Sequence, residues 1–270
     1  MKKLMYLAMA ALLFFAAACK KDKPESDTPG DKTEEPVDYD SMGHTEQAHS
    51  VNGNVKDVID GLGYSYYQCG IGGLFSMKYY DNGTFSAQWS NTQNYFIEMG
   101  FSYGKGVEPG DKNYIADYKY TMSGQAQYGY IGVHGWTESP LAEFYIVDDW
   151  WAKPNPAYLG TKFGEISVDD GTYDIYAFLR MNEPSPNGNN TFVQFFSVRR
   201  SSRKYGRVHI SSHFAKWNEL FTGQEVTLPG SKGEQKVNIR FGLPTDVDLF
   251  CEAGGNASGA IDYSYFKMTE

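Results

Sequence analysis

Residues 140–149 read PLAEFYIVDD, a run of apolar and aromatic residues interrupted by the carboxylate of Glu143. Side chains alternate between the two faces of a β-strand, so Leu141, Glu143 and Tyr145 share one face. The composition of the run predicts a strand in a buried sheet. Glu143 therefore faces water, pairs with a cross-strand lysine or belongs to a functional site.

The same pattern recurs near the C-terminus, in DLFCEAGG at residues 248–255. Alternation places Phe250 and Glu252 on one face of this strand and Cys251 on the other. Two strand glutamates in an aromatic-rich β protein suggest the carboxylate pair of a glycosidase. The residue pattern leaves open whether the two carboxylates meet in space.

The rest of the chain also has the composition of a β protein. Its 270 residues include 21 Tyr, 17 Phe and 29 Gly, and turn signals such as Asp81-Asn82-Gly83 separate short alternating runs. Residues 211–221 alone predict a helix, with an apolar stripe at spacings of three and four and Ser211 or Ser212 as its N-cap. One helix among many strands predicts an all-β jelly roll or sandwich.

Charge narrows the functional classes. The chain carries 33 acidic and 24 basic residues, a formal net charge of -9, and it has no basic block, which argues against nucleic-acid binding. Many tyrosines suit carbohydrate contact, although a tyrosine-rich core has the same composition. His209 and His213 lack the intervening glutamate of a helical zinc motif, and no cysteine spacing fits a metal site. We expect neither metal nor cofactor.

The N-terminus predicts an exported and anchored protein. Met1-Lys2-Lys3 precedes an apolar run, residues 4–18, that is short for a membrane span. We expect residues 1–18 to be a signal peptide. The ending Ala16-Ala17-Ala18-Cys19 resembles a bacterial lipobox, which predicts a lipid on Cys19 and anchoring to the outer membrane of a Gram-negative bacterium, on its surface or periplasmic side. A plain signal peptide followed by a chance cysteine is the alternative.

The expected folded domain begins at Gly63. Residues 20–45 are charged and carry three prolines, so we assign 19–62 to the lipidated cysteine and a flexible tether, and 63–270 to one domain. Cys69 and Cys251 lie within that domain. An exported compartment permits a disulfide between them, and two buried free thiols are the alternative.

Several long segments agree in order and approximate spacing with family 11 glycoside hydrolases, which are single-domain endo-β-1,4-xylanases. From about residue 63 to 270 the chain resembles that family. The segments are GTFSAQWSNTQNYF (83–96), YIGVHGWTESPLAEFYIVDDWW (130–151), GTYDIYAFLRMNEPSPNG (171–188), TFVQFFSVRRSSRKYGRVHISSHFAKW (191–217) and CEAGGNASG (251–259). The resemblance implies a β-jelly roll of two curved antiparallel sheets with a single helix and a thumb hairpin. It also implies cleavage of xylan with retention, without a cofactor, by a monomer.

The resemblance assigns roles to individual residues as well. Glu143 occupies the nucleophile position and Glu252 the acid/base position, and Asn94 matches the neighbour that hydrogen-bonds the acid/base. His134 stands at a position near the nucleophile. Tyr145, Arg180 and Gln194 match cleft positions, and Pro184 matches a thumb position. An amide at Asn94 is the form that the family associates with near-neutral optima, so we expect a bell-shaped pH profile with its maximum near neutrality.

The chain departs from the family's pattern where the substrate would be held. Gln68 or Cys69 stands at the position of a cleft tryptophan, and a disulfide becomes possible only if Cys69 faces the core. His134 replaces a common tyrosine and would bring its own titration near neutral pH. Residues 222–246 form a longer link than usual, either an extra hairpin or a lid. Two alternatives to a xylanase follow: a non-catalytic glycan-binding lipoprotein with this fold, and a β-glucanase.

Overall fold

Strands make up most of the computed structural model, which describes residues 35–108 and 110–270. The chain divides into two units, Met1–Pro36 and Val37–Glu270. Cys19, the expected signal peptide and the first part of the expected tether lie outside the described residues. Among the helices of the described part, none has the length and apolar character that crossing a membrane requires.

The described residues form sixteen strands, one α-helix and a short 3-10 helix at Pro156–Tyr158. The first eight strands are β1 (Ala48–Asn52), β2 (Val55–Ile59), β3 (Tyr64–Ile71), β4 (Leu74–Tyr80), β5 (Phe85–Ser102), β6 (Ile115–Gln125), β7 (Tyr130–Glu138) and β8 (Ala142–Trp150). The remaining elements are β9 (Thr161–Val168), β10 (Gly171–Ser185), β11 (Gly188–Arg199), β12 (Tyr205–His209), α1 (Ile210–Phe221), β13 (Gln224–Leu228), β14 (Gln235–Ile239), β15 (Leu243–Pro244) and β16 (Asp246–Thr269).

Two long strands join the two layers of the jelly roll. The C-terminal half of β5 pairs with β3, and its N-terminal half pairs with β4. In the same way β16 pairs with β7 near its start and with β6 near its end. The pairing of β5 with β16 shifts register between Gly254 and Ala257, near Asn91, which has a φ of 53°. Such bulges bend a sheet, so one continuous hydrogen-bonded sheet forms both curved layers.

The resulting site layer has the strand order β2-β3-β5-β16-β7-β8-β11-β10-β9. All its pairings are antiparallel except that of β8 with β11, which is parallel. The second layer contains β1, β4, β6 and β12 beside the other halves of β5 and β16. The predicted jelly roll with a single helix is confirmed.

Aromatic residues dominate the core. Six tyrosines are at most 2% exposed: Tyr95, Tyr114, Tyr118, Tyr120, Tyr173 and Tyr263. The apolar stripe of α1 packs on the site layer, where Phe214 and Trp217 contact Phe144 of β8, and Trp217 contacts Phe195 of β11. Each such buried aromatic side chain contributes about 1.5–3 kcal/mol to folding. Because Phe144 and Phe195 face α1, their chain neighbours Glu143 and Gln194 face the other side of the sheet.

Two boundaries differ from those expected. The sheet begins at Ala48 rather than after Gly63, because β1 pairs with β4 and β2 pairs with β3 along edges that would otherwise be open. The helix begins at Ile210, and the predicted serine cap is wrong: His209 holds the N-cap position without a side-chain cap, while the Ser211 hydroxyl accepts from the Tyr114 amide.

The long link at 222–246 contains the extra hairpin, formed by β13 and β14. The turn between these strands reaches β10 at the point where β9 has ended. Leu179 donates its amide to the Pro229 carbonyl, and Ser231 donates its amide to the Leu179 carbonyl, both at 3.0 Å. The turn of this hairpin thereby hydrogen-bonds to the edge of β10 that β9 leaves unpaired, next to the expected thumb.

Candidate active site

Strand register brings the sequence-predicted residues together on one face of the site layer. Glu143 of β8 lies directly beside Gln194 of β11, and His134 of β7 lies beside Tyr145. On the neighbouring strand pair, Glu252 of β16 lies beside Phe96 of β5. We call this surface, opposite α1, the site face; it carries Glu98, His134, Glu143, Gln194 and Glu252.

Glu143 is held by three hydrogen-bonding side chains. Its Oε1 accepts from the Tyr145 hydroxyl at 2.7 Å and lies 3.0 Å from Nε2 of His134, and its Oε2 accepts from the Gln194 amide. The residue is only 8% exposed. Burial opposes its charge, but the hydrogen bonds and the positive charge of His134 outweigh burial and lower the pKa of Glu143. Glu143 is therefore ionised.

Glu252 has the opposite character. Its Oε1 accepts from Asn94 Nδ2 at 3.3 Å. Burial and the negative charge of Glu143 raise the pKa of Glu252 to about 7, against the opposing effects of Asn94, His134 and Arg180. Below neutral pH the site therefore holds one carboxylate and one carboxylic acid.

His134 does not behave as the sequence suggested. Burial disfavours its charge, but its Nδ1 contacts Glu98 and its Nε2 faces Glu143, and these two acids raise the pKa of His134 to about 10. The predicted titration near neutrality is therefore wrong. Sequence reasoning missed Glu98, although it carries the signal that identified Glu143: a carboxylate inside an apolar strand, between Ile97 and Met99.

Arg180 acts on Glu143 through an intermediary. Its Nε donates to Oε1 of Gln194 at 2.8 Å, while Gln194 donates to Glu143. The guanidinium also lies over the Phe178 ring, 5.4 Å from its centroid. Arg180 therefore orients Gln194, and Gln194 carries the contact with the carboxylate.

Pro184 lies in the hairpin of β10 and β11, four residues beyond Arg180. It is exposed and pairs with Asn189. The turn is Pro186-Asn187, and Asn190 Nδ2 donates to the Ser185 hydroxyl at 3.0 Å. The structure places Pro184 in the β10–β11 hairpin, the segment expected to form the thumb.

The two cysteines are free and point in opposite directions. Gln68 is fully buried, where it donates to the Gly53 carbonyl and accepts from the Tyr95 hydroxyl. The Cys69 side chain consequently lies on the site face beside Phe96, whereas Cys251 is fully buried in the core. This parity rules out the disulfide that the sequence left open.

No group of three or more His, Cys, Asp or Glu side chains in residues 35–108 and 110–270 is arranged to hold a metal ion. The chemistry available on the site face is that of two carboxyl groups in different protonation states, with hydrogen-bond donors fixing the charged one. A curved jelly roll with this pair has the architecture and the site of a glycoside hydrolase.

Comparison with known sequences identifies the family. Residues 60–227 match the profile described as Glycosyl hydrolases family 11, and the chain belongs to this family. The match includes Glu143 and ends before Glu252.

Curated relatives agree with this assignment. Endo-1,4-beta-xylanase C of Fibrobacter succinogenes is 39% identical over 237 residues, covering 86% of this chain and 36% of the relative. Endo-1,4-beta-xylanase A of Bacillus pumilus is 38% identical over 174 residues, covering 64% and 75%. The chain spans 36%, 57% and 44% of the first three relatives' lengths, roughly a third to a little over half.

Solved structures share the fold. The wild-type ENZbleach xylanase crystal structure superposes with a TM-score of 0.73 at 27% identity, covering 89% of this chain and 93% of that one.

Proposed function

We propose that this chain is an endo-acting 1,4-β-xylanase that hydrolyses internal β-1,4-xylosidic bonds of xylan with retention. The observation that carries the proposal is the difference between the two carboxyl groups: Glu143 is ionised by its donors, and Glu252 is protonated below about pH 7. The xylanase names of its relatives support the substrate class.

In the proposed double displacement, Glu143 attacks the anomeric carbon while Glu252 donates its proton to the leaving glycosidic oxygen. The bond to the leaving sugar breaks, and an ester joins the remaining sugar to Glu143. The Glu252 carboxylate then takes a proton from water, which attacks the anomeric carbon and releases Glu143. Tyr145 and Gln194 hold the attacking carboxylate in place.

The proposal is tested by reducing-sugar release from xylan by the native chain, Glu143→Gln and Glu252→Gln. Each variant keeps the shape of its side chain and removes the reactive carboxylate, so we expect losses of at least roughly a thousandfold. Retention is checked by NMR of the first product, which two successive inversions make the β-anomer. A first-formed α-anomer would contradict the double displacement.

Activity of either variant near the native rate would rule out the assigned pair. If the native chain binds xylan and releases no sugar, it is a glycan-binding protein with this fold. Release from a mixed-linkage β-glucan in preference to xylan would indicate the β-glucanase alternative.

We also propose that the chain is exported and anchored to the outer membrane through a lipid on Cys19, as a monomer. The support is the charged start, the apolar run and the Ala16-Ala17-Ala18-Cys19 ending. Incorporation of a labelled fatty acid by the native chain, and its absence from Cys19→Ser, would test the anchor. Protease treatment of intact cells distinguishes the surface from the periplasm, and size-exclusion chromatography reports the oligomeric state.

A further inference from the structure

The His134 ring stands between two carboxyl groups, and the residue is only 2% exposed. Its Nε2 lies 3.0 Å from Oε1 of Glu143, and its Nδ1 contacts Oε1 of Glu98. Ionised carboxylates only accept hydrogen bonds, whereas a neutral imidazole has one donor and one acceptor nitrogen. The ring therefore satisfies two carboxylates only as an imidazolium with hydrogen on both nitrogens.

A neutral ring would require a proton on one of the acids instead. Glu143 is the poorer place for that proton, because it also accepts from Tyr145 and Gln194 and three donors favour its charged form. The second proton of the group therefore lies between His134 and Glu98. On the ring this proton places a positive charge beside Glu143, whereas on Glu98 it would leave Glu143 with only a neutral donor on that side.

The other charged groups near His134 do not replace Glu98. The titratable side chains that interact with the ring come from β5, β8 and β16: Glu98, Glu143, Tyr145, Asp248 and Glu252. Asp248 lies directly opposite His134. Burial and the charges of Glu98 and Asp246 hold the pKa of Asp248 well above its usual range, which disfavours its charged form. Glu98 is the anion that balances the ring on the side away from Glu143.

We propose that Glu98 is a positioning residue that keeps His134 doubly protonated, so that His134 holds the Glu143 carboxylate ionised and in place. The catalytic consequence rests on the xylanase function proposed above, whereas the protonation of His134 is testable without it. Glu98 reaches the reaction only through His134.

The test is an NMR titration with isotope-labelled histidine. It follows the ring signals against pH in the native chain, Glu98→Gln and Glu98→Asp. A His134→Gln spectrum identifies the His134 signal among the 5 histidines. We expect the ring to stay protonated from about pH 5 to about pH 9 in the native chain and in Glu98→Asp, and to titrate within that range in Glu98→Gln. The kcat/KM profile of Glu98→Gln should gain an ionisation, with kcat reduced on the order of tenfold at pH values where the ring is neutral.

Glu138→Gln is the matched control, since Glu138 lies on β7 with His134 and accepts from the Gly106 amide at 2.7 Å instead of from His134. It should leave the ring titration unchanged. A His134 ring that loses its proton near neutrality in the native chain would overturn the proposal, as would an unchanged titration in Glu98→Gln. If Glu98→Gln does not fold, the native titration still tests the protonation of His134, and loss of that proton near neutrality still overturns the proposal. If the native chain releases no sugar, the proposed function fails and the titration still reports on Glu98.

Discussion

Glu143 and Glu252 are the same residue type on one sheet face, yet they differ in protonation because their partners differ. Glu143 has three donors, one of them a buried imidazolium, while Glu252 has one amide donor at 3.3 Å and a negative neighbour. A hydrogen bond to a charged group contributes about 1.5–3 kcal/mol, so the three donors together overcome the burial of Glu143, whereas the single donor to Glu252 does not. The number of hydrogen-bond donors around each carboxyl group therefore distinguishes the proposed nucleophile, Glu143, from the proposed acid/base, Glu252.

The pH profile follows from these two groups. The raised pKa of Glu252 predicts that kcat/KM falls as pH rises through about 7, because the acid loses its proton. The lowered pKa of Glu143 places the acid limb below the usual carboxyl range. We expect a bell whose maximum lies on the acid side of 7, somewhat below the near-neutral maximum expected from Asn94. A profile that rises through pH 7 would contradict the assignment of Glu252.

Tyr145→Phe removes one of the donors to Glu143 and keeps the ring stacked on Phe196. Losing a hydrogen bond to a charge at 2.7 Å should lower kcat/KM by roughly ten- to a hundredfold and move the acid limb to higher pH, because the carboxylate is less stabilised. Steady-state kinetics over a pH series checks both effects.

Tyr120→Phe is the matched control. The Tyr120 hydroxyl donates to the buried Asp149 carboxylate, also at 2.7 Å, in the core. This variant should lose stability without moving either limb of the profile. Equal shifts in the two variants would mean that Tyr145 acts through stability alone.

Strand β8 shows how one element serves the core and the site at once. Phe144 and Ile146 are fully buried on the side of α1 and the core, while Glu143 and Tyr145 occupy the site face. Alternation with a period of two made this division predictable from PLAEFYIVDD. The same rule failed to settle Gln68 against Cys69, because only the pairing with β5 shows which of them faces the core.

The hairpin of β13 and β14 makes a prediction at the scale of elements. Its Gly230 passes so close to β10 that a Cβ there would lie 2.5 Å from Met181 Cε and 2.9 Å from the Leu179 carbonyl oxygen. Gly230→Val should therefore displace the turn, lower the free energy of unfolding by about 1–3 kcal/mol and loosen Arg180, which lies between those residues. Urea unfolding and kcat/KM on xylan measure the two effects.

Gly104→Ala is the comparison for Gly230→Val, because a Cβ at Gly104 meets nothing within 4 Å. Its unfolding free energy should stay close to that of the native chain. If Gly230→Val also unfolds at the native urea concentration, the hairpin does not brace β10.

The whole molecule buries an ionic cluster in its aromatic core. Asp148 is fully buried and accepts from Tyr173 at 2.6 Å and from Arg203 at 2.7 Å. His213 packs edge-on against Tyr173, with ring centroids 4.7 Å apart, and neither of its ring nitrogens has a hydrogen-bond partner. A buried charge without a partner costs several kcal/mol, so His213 is neutral in the folded protein.

This histidine makes stability depend on pH. Burial lowers the pKa of His213 from 6.5 to about 3. Between these two pH values His213 therefore binds a proton in the unfolded chain and not in the folded chain. The free energy of unfolding should therefore fall as pH drops below 6.5, by roughly 3 kcal/mol at about pH 4. Urea unfolding of the native chain and of His213→Phe at about pH 4 and about pH 7 tests this.

His213→Phe should lose less stability between those pH values than the native chain. His49→Gln serves as the control, since His49 lies at the surface beside Asp81. Equal pH dependence in all three chains would show that other groups govern the acid sensitivity.

Sequence alone determined the features that depend on local pattern: strands from alternation, α1 from its apolar stripe, the sheet face of Glu143, and, through the resemblance, the residues of the expected site. Tertiary structure decided whatever depends on pairing between distant segments. It made β1 and β2 part of the sheet, turned Cys69 away from Cys251, and brought Glu98 to His134, 36 residues apart. Local pattern sets the direction of a side chain, but neighbours across a sheet are set by register. The protonation states of Glu143 and Glu252 can therefore be inferred only when the side-by-side pairing of β5, β7, β8, β11 and β16 is known.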